Sequence, residues 1–151
     1  MPLLLSLSHF QKISTHAETS YPNECCGLLL GEQNQQAKTV IEVWPAENAW
    51  QTEADEYWPE QKEFTEEKRY AISPELMLKA IKSARDRNLS IIGIYHSHPD
   101  HSAIPSEFDL TYAWPEYSYI ILSVEKGKTT DFISWSLDDN HQFQPEEIVK
   151  R

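Results

Sequence analysis

Three of the chain's six histidines fall within residues 96 to 101, directly after the apolar run Ile91-Ile92-Gly93-Ile94-Tyr95. Side chains two apart on an extended strand share a face, so His96 and His98 can point at one ion. Zinc takes imidazole nitrogen at about 2.0–2.1 Å, and two imidazoles on one short segment reach that geometry readily. Alone the pair is a weak signal, because two polar residues at a strand end look the same. Seven residues separate His98 from Ser106, and two more separate Ser106 from Asp109. Ser106 and Asp109 therefore face the same side of a first helical turn. The same spacing is a capping box, which is the plainer reading of these two residues by themselves. The two uses are compatible, since a cap would also fix Asp109 where a third ligand could sit. Two histidines and a carboxylate leave one tetrahedral position open for water, as catalytic zinc sites do.

Hydrolysis at such a centre needs a proton carrier outside the ligand set. Glu24 is the candidate, because it immediately precedes the most apolar run of the chain, Cys25 to Leu30. A carboxylate avoids that position unless it is exposed at the strand's mouth, which is the structural alternative. His101 reads as a solvated loop residue or a neighbour of the ligands. His9, His16 and His141 have no companions. Cys25 and Cys26 are adjacent, so a bridge between them would be strained. They lack C-x-x-C spacing and read as small buried hydrophobes.

Glu24, Gly27-Leu28-Leu29-Leu30-Gly31, His96-Ser97-His98-Pro99, Pro105-Ser106 and Asp109 together resemble the JAMM (MPN+) motif of the Mov34/MPN/PAD-1 superfamily. The pattern E…H-S-H-P-x6-S-x2-D is matched at every position, and the likeness runs from Glu24 to near Val124. His98-Pro99-Asp100-His101 and Tyr112-Ala113-Trp114-Pro115 look like the short bacterial members. The resemblance implies one Zn²⁺ per chain on His96, His98 and Asp109, with Glu24 as acid/base. It implies that Ser106 helps hold the oxygen of a tetrahedral intermediate. It also implies a sheet-and-helix layering like that of cytidine deaminases. The long insertions by which eukaryotic members grip ubiquitin chains are missing. The short relatives suggest instead the C-terminal Gly-Gly tail of a ubiquitin-like sulfur carrier of the ThiS/MoaD type.

Elements that would position these residues follow from the patterning. Leu3–Leu5 suits a short strand, and Ser8 suits the cap of a helix carrying Phe10, Ile13 and Ala17 until Pro22. Residues 25–30 form a strand covered on both faces, closed by Gly31. A strand over 39–44 ends at Pro45. Residues 46–67 carry Glu53, Asp55, Glu56, Glu60, Glu63, Glu66 and Glu67 with little periodicity, as in a solvated loop, although loops of this length often face substrate. A strand over 69–72 precedes a helix with Ser73 as cap and Pro74 in its first turn. Its apolar stripe is Leu76, Met77, Ala80, Ile81 and Ala84. The 91–95 strand delivers the histidines, Ser106 to Trp114 form a short helix, and 117–124 and 129–137 make a hairpin around Gly127. The expectation is one α/β (mixed α+β) domain over residues 1–151, a mixed sheet with helices packed on it.

The net charge is −11, from 24 acidic and 13 basic residues. It argues against nucleic-acid phosphates or an anionic membrane as the main partner. Met1–Ser8 has no basic n-region and too short an apolar stretch for a signal peptide, so a cytoplasmic protein is expected. Two rival functions stand beside the peptidase. One is a metal-free scaffold or carrier-binding module of the same superfamily. The other is a zinc deaminase, which would need H-x-E with P-C-x-x-C, and neither occurs.

Overall fold

The computed structural model describes residues 1–61 and 64–151, so Glu63 of the acidic segment lies outside the described residues. The chain runs β1 (Leu3–Leu5), α1 (Leu7–Ser20), β2 (Cys26–Gln33), β3 (Lys38–Ala46), α2 (Trp50–Tyr57) and a 3-10 turn at Pro59–Gln61. It continues through α3 (Pro74–Asp86), β4 (Ser90–Pro99), α4 (Glu107–Thr111), β5 (Ser118–Glu125), β6 (Lys128–Leu137), β7 (Phe143–Glu146) and β8 (Ile148–Lys150). The eight strands form one mixed sheet in the order β7-β6-β5-β4-β2-β3-β1-β8. β4 is central, antiparallel to β2 and parallel to β5.

The unalternated apolar runs are explained by cover on both faces. Leu29 of β2, Ile92 and Tyr95 of β4, and Ile120 and Leu122 of β5 pack with Ile13 and Ala17 of α1. Leu28, Leu30, Ile94 and Tyr119 point the other way, onto Ala80 and Ala84 of α3. Each fully buried Leu or Ile contributes about 1.5–3 kcal/mol of transfer free energy, so the central strands carry much of the core's stabilisation. The expected mixed sheet flanked by helices is the architecture observed.

Several local expectations differ. Ser6, not Ser8, caps α1, its Oγ accepting the His9 N–H at 3.0 Å. The helix therefore starts one residue after the cap, directly beyond β1. Gly31 does not end β2 but lies within it. A Cβ there would stand 1.9 Å from the Thr39 carbonyl oxygen, so glycine permits close approach of β3. Pro45 is likewise inside β3, opposite Gly27. It is tolerated because, among the described residues, β1 pairs only with Lys38 and Thr39 at the other end and leaves the outer edge at Pro45 without a strand. Ile81 of the expected α3 stripe is exposed.

The acidic segment is not all loop. α2 buries Trp50 and Ala54, one turn apart, against Ala71, while Asp55 and Glu56 stay solvated. Two inward residues in eight are too few to show helical periodicity. Residues 69–72 are not a strand, since a side-chain amide takes the place of a neighbouring strand. Asn48 Nδ2 donates to the Arg69 carbonyl at 2.9 Å, and its Oδ1 accepts the Ala71 N–H at 3.2 Å. β7 and β8 have no counterpart in the patterning. No helix among the described residues is long and apolar enough to cross a membrane.

Candidate metal centre

β4 carries its apolar sequence between β2 and β5 and ends in the H-S-H-P tetrad. His96 is opposite Cys26 on one side and Ile121 on the other, and is 1% exposed. Its Nε2 lies 3.1 Å from Nε2 of His98. The crossover from β4 to β5 then brings in α4. Here Ser106 Oγ accepts the Asp109 N–H at 3.0 Å, while Asp109 Oδ2 accepts the Ser106 N–H at 2.9 Å. The capping box thus exists, and it presents the same Oδ2 at 3.4 Å from both histidine Nε2 atoms. Cap and cluster are one structure.

These three atoms fit a metal. Ligands 2.0–2.1 Å from a tetrahedral ion stand about 3.3–3.4 Å apart, and the observed edges are 3.1, 3.4 and 3.4 Å. The protonation states also fit. His98 Nδ1 donates to the Ser102 carbonyl at 2.8 Å, which leaves the Nε2 lone pair facing the cluster. Burial pushes the His96 pKa down, favouring neutral imidazole. Burial alone would raise that of Asp109, but the facing His96 and His98 and the Ser106 N–H hold it well below the usual carboxylate range. A neutral His96 imidazole and an ionised Asp109 carboxylate are forms a divalent ion takes. Among the described residues this is the one His/Cys/Asp/Glu group whose donor atoms all lie within 4.8 Å of one another.

Glu24, 7% exposed, lines the same cavity of about 320 Å³ as His98, Ser106 and Asp109. It is not at an exposed strand mouth. Burial, reinforced by the charge of Asp109 and partly offset by Arg69, raises its pKa well above the ordinary glutamate value. Its backbone is clamped from both sides. The next residue's N–H, that of Cys25, donates to Ser97 Oγ at 2.8 Å, and Ser97 lies between the two histidines. On the other side, the Glu24 N–H donates to the Glu66 carbonyl at 2.8 Å, and Asn48 Nδ2 donates to the Glu24 carbonyl at 3.1 Å. His101 is exposed on the cavity rim. Cys25 and Cys26 are free, buried thiols; burial pushes Cys25 up to about 12 and Cys26 higher still. They pack, as expected of inert cysteines.

Sequence reasoning passed over Asn48, Ser97 and Tyr70. Ser97 is a matched position of the H-S-H-P motif, but the sequence assigns it no contact. Asn48 had no signal, being one polar residue in a polar stretch. Asn48→Ala strips hydrogen bonds from several part-buried backbone groups. A loss of at least about 1–3 kcal/mol of unfolding free energy is expected in urea titration. An unchanged midpoint and slope would show that the clamp contributes nothing.

The fold and the cavity together present the constellation of the JAMM metallopeptidases. The family described as prokaryotic homologs of the JAB domain (Prok-JAB) matches residues 6–138. A desampylase of Pyrococcus furiosus is 28% identical over 148 residues, covering 97% of this chain and 89% of that protein. A Thermus thermophilus protein named "Probable TtuB-protein conjugate cleaving protease" is 38% identical over 56 residues, 37% of this chain and 38% of its own length. The solution structure of a Desulfitobacterium hafniense protein superposes with a TM-score of 0.77 at 27% identity, over all of this chain and 93% of that one. The chain belongs to the prokaryotic JAB domain family and is a hydrolase of the JAMM peptidase class.

Proposed function

We propose that the chain is a zinc metallopeptidase that hydrolyses a peptide or isopeptide bond at the C-terminal Gly-Gly tail of a ubiquitin-like sulfur-carrier protein (ThiS/MoaD type). The observation that carries this reading is the convergence of His96 Nε2, His98 Nε2 and Asp109 Oδ2, with His98 and Asp109 lining the same cavity as the buried Glu24. When bound there, Zn²⁺ would supply Lewis acidity toward water and a scissile carbonyl.

The chain's own residues supply the rest. Glu24 takes a proton from the attacking water and passes it to the departing amine. Burial raises its pKa above the ordinary glutamate value, which helps the carboxyl hold the proton it has accepted until the amine departs. Ser106 Oγ accepts its cap bond from the Asp109 N–H, so the hydroxyl proton is free to be donated to the developing oxyanion. His96 and His98 are held on a buried strand and Asp109 by its cap, which limits reorganisation during reaction.

A Gly-Gly tail has no side chains and can lie extended where bulkier residues would clash. The relatives named for desampylase and protein-conjugate cleavage support an isopeptidase acting on small protein modifiers. The test is incubation of the zinc-loaded protein with sulfur-carrier proteins bearing C-terminal extensions or lysine conjugates, followed by mass spectrometry. Cleavage after Gly-Gly, abolished by a chelator and restored by Zn²⁺, is expected. Intact substrates throughout, with zinc bound, would exclude this substrate class.

A further inference from the structure

The two histidines of the cluster are supported differently. His98 has an ordinary anchor, its Nδ1 bound to the Ser102 carbonyl. His96 Nδ1 is buried and has no hydrogen-bond partner among the described residues. A metal-binding imidazole is normally oriented through its second nitrogen, and without that partner the polar contacts of the ring among the described residues are those at Nε2. What lies against it is an aromatic ring. Tyr70 stacks on His96 with ring centroids 4.4 Å apart and planes 22° from parallel.

Tyr70 is itself held firmly, although it belongs to no helix or strand. The residues on either side of it, Arg69 and Ala71, are bound through their backbones to the single side chain of Asn48. The same amide binds the Glu24 carbonyl. One side chain therefore fixes the backbone of Glu24 and the backbone carrying Tyr70. The Tyr70 ring also forms part of the wall of the cavity that holds Glu24 and Asp109.

We infer that Tyr70 is a positioning residue of the centre, orienting the His96 imidazole by ring stacking in place of a hydrogen bond to its Nδ1. The inference rests on the zinc reading above. It requires an aromatic face at position 70 and makes no use of the phenol oxygen.

The test is zinc affinity, measured by competition with a chromophoric chelator on folded protein, for the parent, Tyr70→Phe and Tyr70→Leu. Tyr70→Phe should bind within about threefold of the parent. Tyr70→Leu should bind about 10–100-fold more weakly, the loss typical of a ligand's supporting partner, and Phe should restore what Leu loses. Leu binding as tightly as the parent would overturn the inference, and so would Phe binding as weakly as Leu. Should Tyr70→Leu fail to fold, the metal-free parent still decides by NMR. The His96 ring protons should carry an upfield ring-current shift that persists in Tyr70→Phe, and its absence in the parent would overturn the stacking role. The underlying reading fails separately: a parent that binds no zinc, or His96→Ala that binds as well as the parent, removes the centre itself.

Discussion

Glu24→Gln is expected to lower kcat/KM by about 10²–10⁴ while leaving one zinc bound per chain. Gln preserves the shape of a side chain that is only 7% exposed, but it cannot accept and return a proton. The metal donors are untouched, so zinc content measured by atomic emission should equal that of the parent. Two further readouts separate chemistry from folding. Glu24 must be ionised to accept a proton, and burial and Asp109 raise its pKa. In the metal-free parent, Glu24 should therefore titrate above the ordinary glutamate range, as followed by its carboxyl carbon shift in NMR. Stability should move the other way from activity. A carboxyl whose folded-state pKa is raised binds its proton more tightly folded than unfolded. Its contribution to stability is present at low pH and lost as pH rises through that raised value. At neutral pH, metal-free Glu24→Gln should thus unfold at a higher temperature than the metal-free parent. Normal turnover by this variant would remove Glu24 from the mechanism.

Asp109→Asn is expected to cost more zinc affinity than the ~10–100-fold typical of losing an outer-shell partner, and to lower the unfolding temperature of the metal-free protein at neutral pH, because the fold holds this carboxyl well below its usual range and so draws stability from the ionised form. On the proposed zinc reading, Asp109 has two duties on the same oxygen. Oδ2 accepts the Ser106 N–H in the capping box and faces both histidines at 3.4 Å. An asparagine carbonyl can still accept from Ser106, so α4 keeps its cap. The charge that balances a divalent ion is gone. Asp109→Ala removes both functions and should lose the cap's contribution of about 0.5–2 kcal/mol as well. Chelator competition together with thermal unfolding distinguishes the two duties. Equal zinc affinity in Asp109→Asn and the parent would show that the carboxylate is a cap and nothing more.

How far the centre was legible depended on how local each feature is. The strand carrying His96 and His98 was readable because a buried central strand is apolar without interruption and its period of two puts both imidazoles on one face. The Ser106–Asp109 cap was readable because capping acts over three residues. The helix over 50–57 was not, since only Trp50 and Ala54 turn inward. The patterning over 69–72 predicts a strand that the structure does not form. The segment's backbone bonds go to Asn48, a partner more than twenty residues away that no local pattern announces.

By its own residue types and spacings, the sequence determined the apolar strands, the H-S-H-P pair, the cap and the isolated acid at position 24. It determined too that two histidines and a carboxylate were available for one ion. Only the tertiary structure decided that Glu24 is buried beside them. Antiparallel pairing of β2 with β4 puts Cys26 opposite His96, and Ser97 Oγ takes the Cys25 N–H. It alone brought Tyr70 onto the face of His96 and one asparagine to both Glu24 and the Tyr70 segment. The physical reason is range. Strand periodicity and capping are energies between near neighbours in the chain, whereas burial, stacking and an amide's choice of partners arise only when the sheet closes around them.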